Sequence, residues 1–480
     1  MNAIRQLLTA LGIFFTLSVL AKDGFQITVK ITGMPKQKLL LGYYYGDKQY
    51  IRDSAFTDAT GKAIFKGSET LEGGIYLIAS PNKQLLFDFV VTEQVFSLET
   101  DTIDYIDHMV IKGSPENDAF FSYSKFTNKA GKEAVAAEQK MKEAQMENDT
   151  AKLRKYREEI RSIEMSVIDY RNKMVVEKPN MLISKIFKMM KEIDVPEPPK
   201  DANGIVTDSL FQYNYYRKHY FDNFDLTDDR LVRTPVFHGR IVSYMTKVTP
   251  QIPDTIIAAA DLLIAKTLKS KEVSKWVIYW ITNYYETSQY MGMDAVFVHL
   301  VKKYYNDTTI TYWVDDATRY KITDRANTLN YNLLGKKAQN LSLPDTAGKY
   351  QTLYNINAEY TVVAFWDATC GKCKEEMPKL KLLVDSLNQA NSIKAGKKIE
   401  VYALSMTVEP NDWIKFIKEK NLNFIHVYDP YRESNFRTYY DVYSTPVIYL
   451  LGRQKKIIAK RLSVEQLQDF INRGITEDMP

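Results

Sequence analysis

Cys370 and Cys373 are the only cysteines in 480 residues, and two residues separate them. Two cysteines placed at random would fall at this spacing in about one chain in 240, so the pair is not incidental. At a helix start, the spacing puts the first thiol among unpaired backbone N–H groups, where the helix dipole also favours an anion. The second thiol, one turn further on, is placed to resolve a mixed disulfide formed by the first. The chemistry on offer is dithiol redox chemistry. A closed zinc site is a poor fit, because four ligands are wanted and His426, the nearest histidine, is far along the chain. His108, His219, His238 and His299 stand in other segments. No metal and no cofactor is expected.

The elements around the pair suit that chemistry. Tyr360 to Trp366 is a buried-strand run, and Cys370 opens a helix expected to reach about Asn388. Ile399 to Ser405 is the next strand, and Asn411 is the expected cap of a helix over 412–420. Pro446 to Leu451 and Lys456 to Lys460 read as a hairpin about Gly452-Arg453, and Val464 to Asn472 as a closing helix. A C-x-x-C between strand and helix in an α/β domain over residues 336–480 reads as a redox motif. Lys372, between the cysteines, adds a cation that can favour the thiolate. Glu376 stands three residues after Cys373, so it shares a side of the helix with it.

Trp366-Asp367-Ala368-Thr369-Cys370-Gly371-Lys372-Cys373 resembles the W-x-x-x-C-x-x-C segment of thioredoxins, and Thr445-Pro446 resembles their Thr-Pro pair. Glu376 and Pro378 complete a C-x-x-C-x-x-E-x-P pattern, preceded by residues 339–345, that is similar to the TlpA/ResA branch of extracytoplasmic thioredoxin-like proteins. The resemblance implies a thioredoxin fold with Cys370 and Cys373 as a redox-active disulfide. It implies a catalytic carboxylate at Glu376, moving protons at the resolving thiol. It also implies a cis Pro446 that, with Thr445, Trp366 and Lys372, borders the substrate. Thioredoxin has a buried Asp on the preceding strand where this chain has Ala364, which leaves Glu376 the carboxylate for that role. Peroxiredoxins carry P-x-x-x-T-x-x-C, and Val363 and Asp367 occupy the Pro and Thr positions here, so a peroxidase is not expected.

The rest of the chain is organised in front of this domain. Residues 22–115 alternate with strand period between turn signals, predicting an all-β domain, a small antiparallel sandwich or barrel. Residues 116–335 predict an α-helical domain, beginning with a charged helical hairpin whose second helix Thr150 would cap. Its Tyr and Trp residues, among them Trp276, Trp280 and Tyr284, have the spacing of aromatics packed between helices. The fold class expected is therefore multidomain: all-β, then α-helical, then an α/β thioredoxin fold. Residues 1–21, with Arg5 before an apolar run and small Val19 and Ala21 at its end, read as a signal peptide; the run is short for a membrane span of about 20 residues.

Hydrophobic residues make up 45% and charged residues 26%, and the net charge of +5 is spread among interleaved signs. That balance argues against disorder and against nucleic-acid binding. The expected function is an exported thiol–disulfide oxidoreductase that reduces or isomerises disulfides of envelope proteins in the periplasm. The resemblance adds cytochrome maturation as a task, and a membrane electron donor as partner. The alternative is an envelope scaffold whose N-terminal half holds a client or glycan, with the redox module secondary. Whether the chain forms a homodimer is left open.

Overall fold

The computed structural model describes residues 24–390, 397–407, 409–429, 431 and 433–475, so the expected signal peptide lies outside the described residues. The chain divides into two compact units, residues 1–241 and 242–480.

The first unit opens with strands β1 (Phe25–Thr32), β2 (Lys38–Tyr45), β3 (Lys48–Phe56), β4 (Lys62–Gly67), β5 (Gly74–Ala79), β6 (Leu85–Val91), β7 (Val95–Asp101) and β8 (Val110–Lys112). They form two sheets, ordered β4-β1-β7-β8 and β3-β2-β5-β6. Ile27, Val29 and Ile31 point to one face of β1 and meet Leu39, Leu41, Ile78 and Phe89 of the other sheet in a shared core. Of the two expected forms this is the sandwich. One pairing corrects the antiparallel expectation: β1 runs parallel to β7. The chain crosses to the other sheet for β5 and β6 and re-enters beside β1 in the same direction. Strands β2 and β3 carry no period-2 pattern, because β2 is buried on both faces near its middle and β3 is exposed along most of its length.

Helix α1 (Pro115–Met146) starts at Ser114, whose hydroxyl accepts from Asn117 N. The Asn117 side chain in turn bonds both the N–H and the carbonyl of Val90, tying the helix to β6. Asp149, not Thr150, caps α2 (Thr150–Glu177); an aspartate one residue earlier offers the better acceptor. Met174 is the buried residue of α2, so the hairpin is largely a solvated pair. Helices α3 (Leu182–Met190), α4 (Phe211–His219) and α5 (Pro235–Ser243) follow.

The second unit begins with α6 (Pro253–Thr267), α7 (Lys271–Glu286), α8 (Asp294–Leu300) and α9 (Asp316–Asn330). Trp276, Trp280 and Tyr284 stack along α7 with ring centroids 6.0 and 5.2 Å apart, and Trp276 and Tyr285 are buried. Among the described residues no helix is long and apolar enough to cross a membrane.

The C-terminal α/β portion contains β9 (Ser342–Pro344), β10 (Tyr350–Thr352), β11 (Ala358–Trp366), α10 (Gly371–Ala390), β12 (Lys397–Ser405), α11 (Pro410–Glu419), β13 (Ile425–Tyr428), α12 (Phe436–Tyr439), β14 (Val447–Leu451), β15 (Ile457–Lys460) and α13 (Val464–Asn472). Its main sheet is ordered β13-β12-β11-β14-β15. Strands β12 and β13 continue β11 in parallel, whereas β14 and β15 are antiparallel. Alternate residues of β11 serve opposite faces. Val362, Ala364 and Trp366 face Cys373, Met377 and Leu380 of α10, while Val363 and Phe365 pack with Tyr402, Tyr440 and Tyr449. Helix α11 begins one residue before the expected cap Asn411; Glu409 takes the cap position and makes no side-chain cap bond. Pro410 favours that earlier start, since its fixed φ and missing N–H suit the first helical turn.

Candidate active site

Strand β11, central in the sheet, ends at Trp366, and a four-residue loop turns the chain into α10. That loop is pinned by polar side chains. The Asp367 carboxylate accepts from Thr369 N at 2.8 Å and from the Thr369 hydroxyl at 2.7 Å. The Thr407 hydroxyl, just past the end of β12, accepts from Ala368 N at 2.9 Å and reaches Asp367 at 3.3 Å. Asp367 and Thr407 were not among the residues anticipated. The Asp-x-Thr turn was readable from residue types, but Thr407 joins the loop only through the parallel register that sets Trp366 opposite Ser405.

The two sulfurs sit in different surroundings. Cys370 is half-buried at the N-terminal edge of α10, and Cys373 is fully buried. Burial pushes the Cys370 thiol up, but hydrogen bonds from the backbone N–H groups of Cys373 and Lys372 and from the side chains of Thr445 and Cys373 outweigh it. The net result is a thiol below its ordinary value. For Cys373 burial wins, raising the thiol to about 12 despite an N–H from Asp367 at 3.5 Å. One thiol is prepared to ionise and the other to stay protonated.

Thr445–Pro446 is the cis peptide bond of the described chain. The Cys370 thiol points at the Thr445 carbonyl, 3.5 Å away. Trp366 is fully buried beneath the loop, its ring 5.6 Å from Phe416 and 6.0 Å from His426. Cys370, Cys373, Trp366 and Thr445-Pro446 are thus brought to one end of the sheet. Lys372 is exposed there, but its ammonium is engaged by Glu376 at 3.3 Å and Glu375 at 3.4 Å. What Lys372 contributes to the Cys370 sulfur is its backbone N–H.

Glu376 is 3% exposed. Burial pushes its carboxyl up, yet Lys379 at 3.1 Å, Lys372 and the backbone N–H of Val464 at 3.4 Å hold it below the usual carboxylate range. It is an ionised, buried carboxylate linking the first turns of α10 and α13. Ala364 is buried in the same apolar cluster as Cys373, so β11 brings no carboxylate to that thiol.

A mixed sheet of this order, with a helix-start dithiol beside a cis proline, defines a thioredoxin-like domain. Residues 334–460 match the AhpC/TSA family. The thiol–disulfide oxidoreductase ResA of Bacillus cereus is 24% identical over 143 residues, 29% of this chain and 78% of that protein. Over this domain the chain is similar to the thioredoxin-like thiol–disulfide oxidoreductases, and it is an enzyme of that class. Among solved structures, a domain of a possible thiol-disulfide isomerase from Cytophaga hutchinsonii is 40% identical over 30% of this chain and 92% of that one, with a TM-score of 0.26. A thioredoxin-like protein from Bacteroides caccae is 20% identical over 59% and 99%, with a TM-score of 0.45. Residues 25–120 match DUF4369 and residues 176–332 match DUF5106, both described as domains of unknown function.

Proposed function

We propose that Cys370 and Cys373 are the redox-active dithiol of this enzyme, and that it reduces or isomerises disulfides of proteins in the cell envelope. The observation carrying the reading is the split between the sulfurs: Cys370 accessible and held below the ordinary thiol value, Cys373 buried and raised to about 12. The Cys370 thiolate attacks one sulfur of a client disulfide; that bond breaks and the other client sulfur leaves with the electron pair. Cys373 then gives up its proton and attacks Cys370. The client's first sulfur departs as a thiolate and takes up a proton, leaving the enzyme disulfide and a client reduced by two electrons. A membrane electron donor returns those electrons, and cytochrome maturation is one task for which such a couple is suited.

Glu376 is the catalytic carboxylate in this scheme. Because it is ionised, it can accept the proton that Cys373 must lose. Thr445 and Pro446 border the client chain, Lys372 supports the thiolate through its N–H, and Trp366 carries the loop from below. Export by a signal peptide at 1–21 and division into domains 22–115, 116–335 and 336–480 complete the proposal.

The test is a pair of variants in the full chain. With Cys373→Ser, mixed disulfides between Cys370 and envelope proteins should accumulate, and with Cys370→Ser they should be absent. Adduct yields equal in the two variants would count against the reading, and cellular function surviving Cys370→Ser would favour a scaffold instead.

A further inference from the structure

A cleft of about 510 Å³ lies inside the second unit, between the helical segment and the α/β domain. Its walls are the end of α7 and the turn to α8, from Tyr285 to Gly292, together with Arg325 of α9 and Asp441, Arg461 and Gln466 of the α/β domain. That volume falls within the range of about 300–1,000 Å³ common for ligand sites.

Two observations tie the cleft to the dithiol. First, Met291 of the turn and Cys370 both pack on the edge of the same apolar cluster, the one containing Trp366 and Cys373. Second, the helical segment holds the base of the Thr445–Pro446 loop. Arg325 grips the buried Asp441 carboxylate with two bonds, at 2.5 and 3.2 Å, and Arg461 adds bonds to the same carboxylate at 2.5 Å and to the Asp441 carbonyl at 3.0 Å. Asp441 and Arg461 both hold left-handed backbone, φ +50° and +58°. Such conformations persist only where surrounding contacts impose them.

A disulfide attacked by Cys370 must approach Thr445, whose carbonyl faces that sulfur. Asp441 is four residues back, a reach of about 13 Å for extended chain. Client residues within about four positions of the attacked cysteine can therefore reach the cleft, since about 13 Å is the most those four residues span. Its charges are matched, with Glu286, Asp294 and Asp441 set against Arg325, Lys460 and Arg461, so it has no net charge with which to select. Tyr290, in its wall, is 66% exposed, and Tyr443, two residues beyond Asp441, is 69% exposed. These rims suit an extended, uncharged segment with apolar or aromatic side chains.

We infer that this cleft seats the client polypeptide beside its disulfide, so that the helical segment selects clients by their flanking residues. The inference rests on Cys370 being the attacking thiol. It is tested with two mixed disulfides of thionitrobenzoate, one on N-acetylcysteine and one on a decapeptide whose central cysteine is flanked by Phe and Leu. In each, the reduced protein's Cys370 attacks the cysteine sulfur and thionitrobenzoate leaves with the electron pair, giving colour. The quantity read is the ratio of the peptide rate to the acetylcysteine rate, which cancels changes in the thiol itself.

The unaltered protein should favour the peptide by about tenfold. Tyr290→Ala, which removes the rim, and Gln289→Trp, which plugs the cleft from an exposed position, should each lower that ratio at least fivefold. A ratio near one in the unaltered protein, or ratios in both variants within twofold of it, overturns the inference alone. A protein that releases colour from neither probe overturns the dithiol reading beneath it.

Discussion

The ammonium of Lys372 lies 3.3 Å from Oε1 of Glu376, so the cation between the two cysteines is engaged by a carboxylate one turn along the helix. The support Cys370 receives from this residue comes through its backbone N–H. Lys372→Ala should therefore leave the Cys370 pKa within a few tenths of a unit. Lys372→Pro removes the N–H and should raise it by about one unit, the order expected for losing one hydrogen bond to a thiolate. Thiolate absorbance near 240 nm against pH reads both; equal shifts in the two variants would restore the ammonium to the argument.

Glu376 is already ionised and sits on the helix that carries Cys373, whose thiol is raised to about 12. Removing the base should slow resolution and spare the first attack. In Glu376→Gln, release of reduced client from the mixed disulfide should fall by about a hundredfold, the lower end of what a positioned base supplies. Stopped-flow measurement of the two steps checks this, and an unchanged second step would reduce Glu376 to a structural link between α10 and α13.

His426 is 6% exposed, its ring 6.0 Å from Trp366 and 6.4 Å from Trp413. Burial lowers its pKa from 6.5 to about 4. The unfolded chain thus binds a proton that the folded chain refuses between those values. Its contribution to stability is fully present above pH 6.5 and declines as pH falls toward 4, by about 3 kcal/mol in all. All five tryptophans, Trp276, Trp280, Trp313, Trp366 and Trp413, lie in the second unit, so urea unfolding followed by their fluorescence reports that unit. The midpoint should drop between pH 6.5 and 4.5, and His426→Leu should flatten the drop.

Thr407 supplies the acceptor for Ala368 N, a backbone group in a buried residue. Thr407→Val keeps the shape and strands that N–H, which should cost about 1–3 kcal/mol. The same fluorescence-detected unfolding at pH 7 measures it; a loss well under 1 kcal/mol would mean that the loop is held by the Asp367–Thr369 turn alone.

The sequence by itself determined the dithiol, its place between strand and helix, and the order of β, helical and α/β portions, because each is written in local spacing: two residues between cysteines, period two in β1, a continuous apolar run in β11, helical period in α7. Local spacing also misled where a neighbouring residue competed, as when Asp149 displaced Thr150 as a cap and Pro410 started a helix ahead of Asn411. Only the tertiary structure decided the rest. The parallel pairing of β1 with β7, the meeting of Thr407 with Ala368, and the grip of Arg325 on Asp441 join residues 69, 39 and 116 positions apart. Their physical basis is sheet register and packing, which belong to pairs of segments and leave no periodic mark in either one. The same holds for the sulfurs: their spacing fixes that they can react together, whereas burial and the N–H groups aimed at each decide which is prepared to react first.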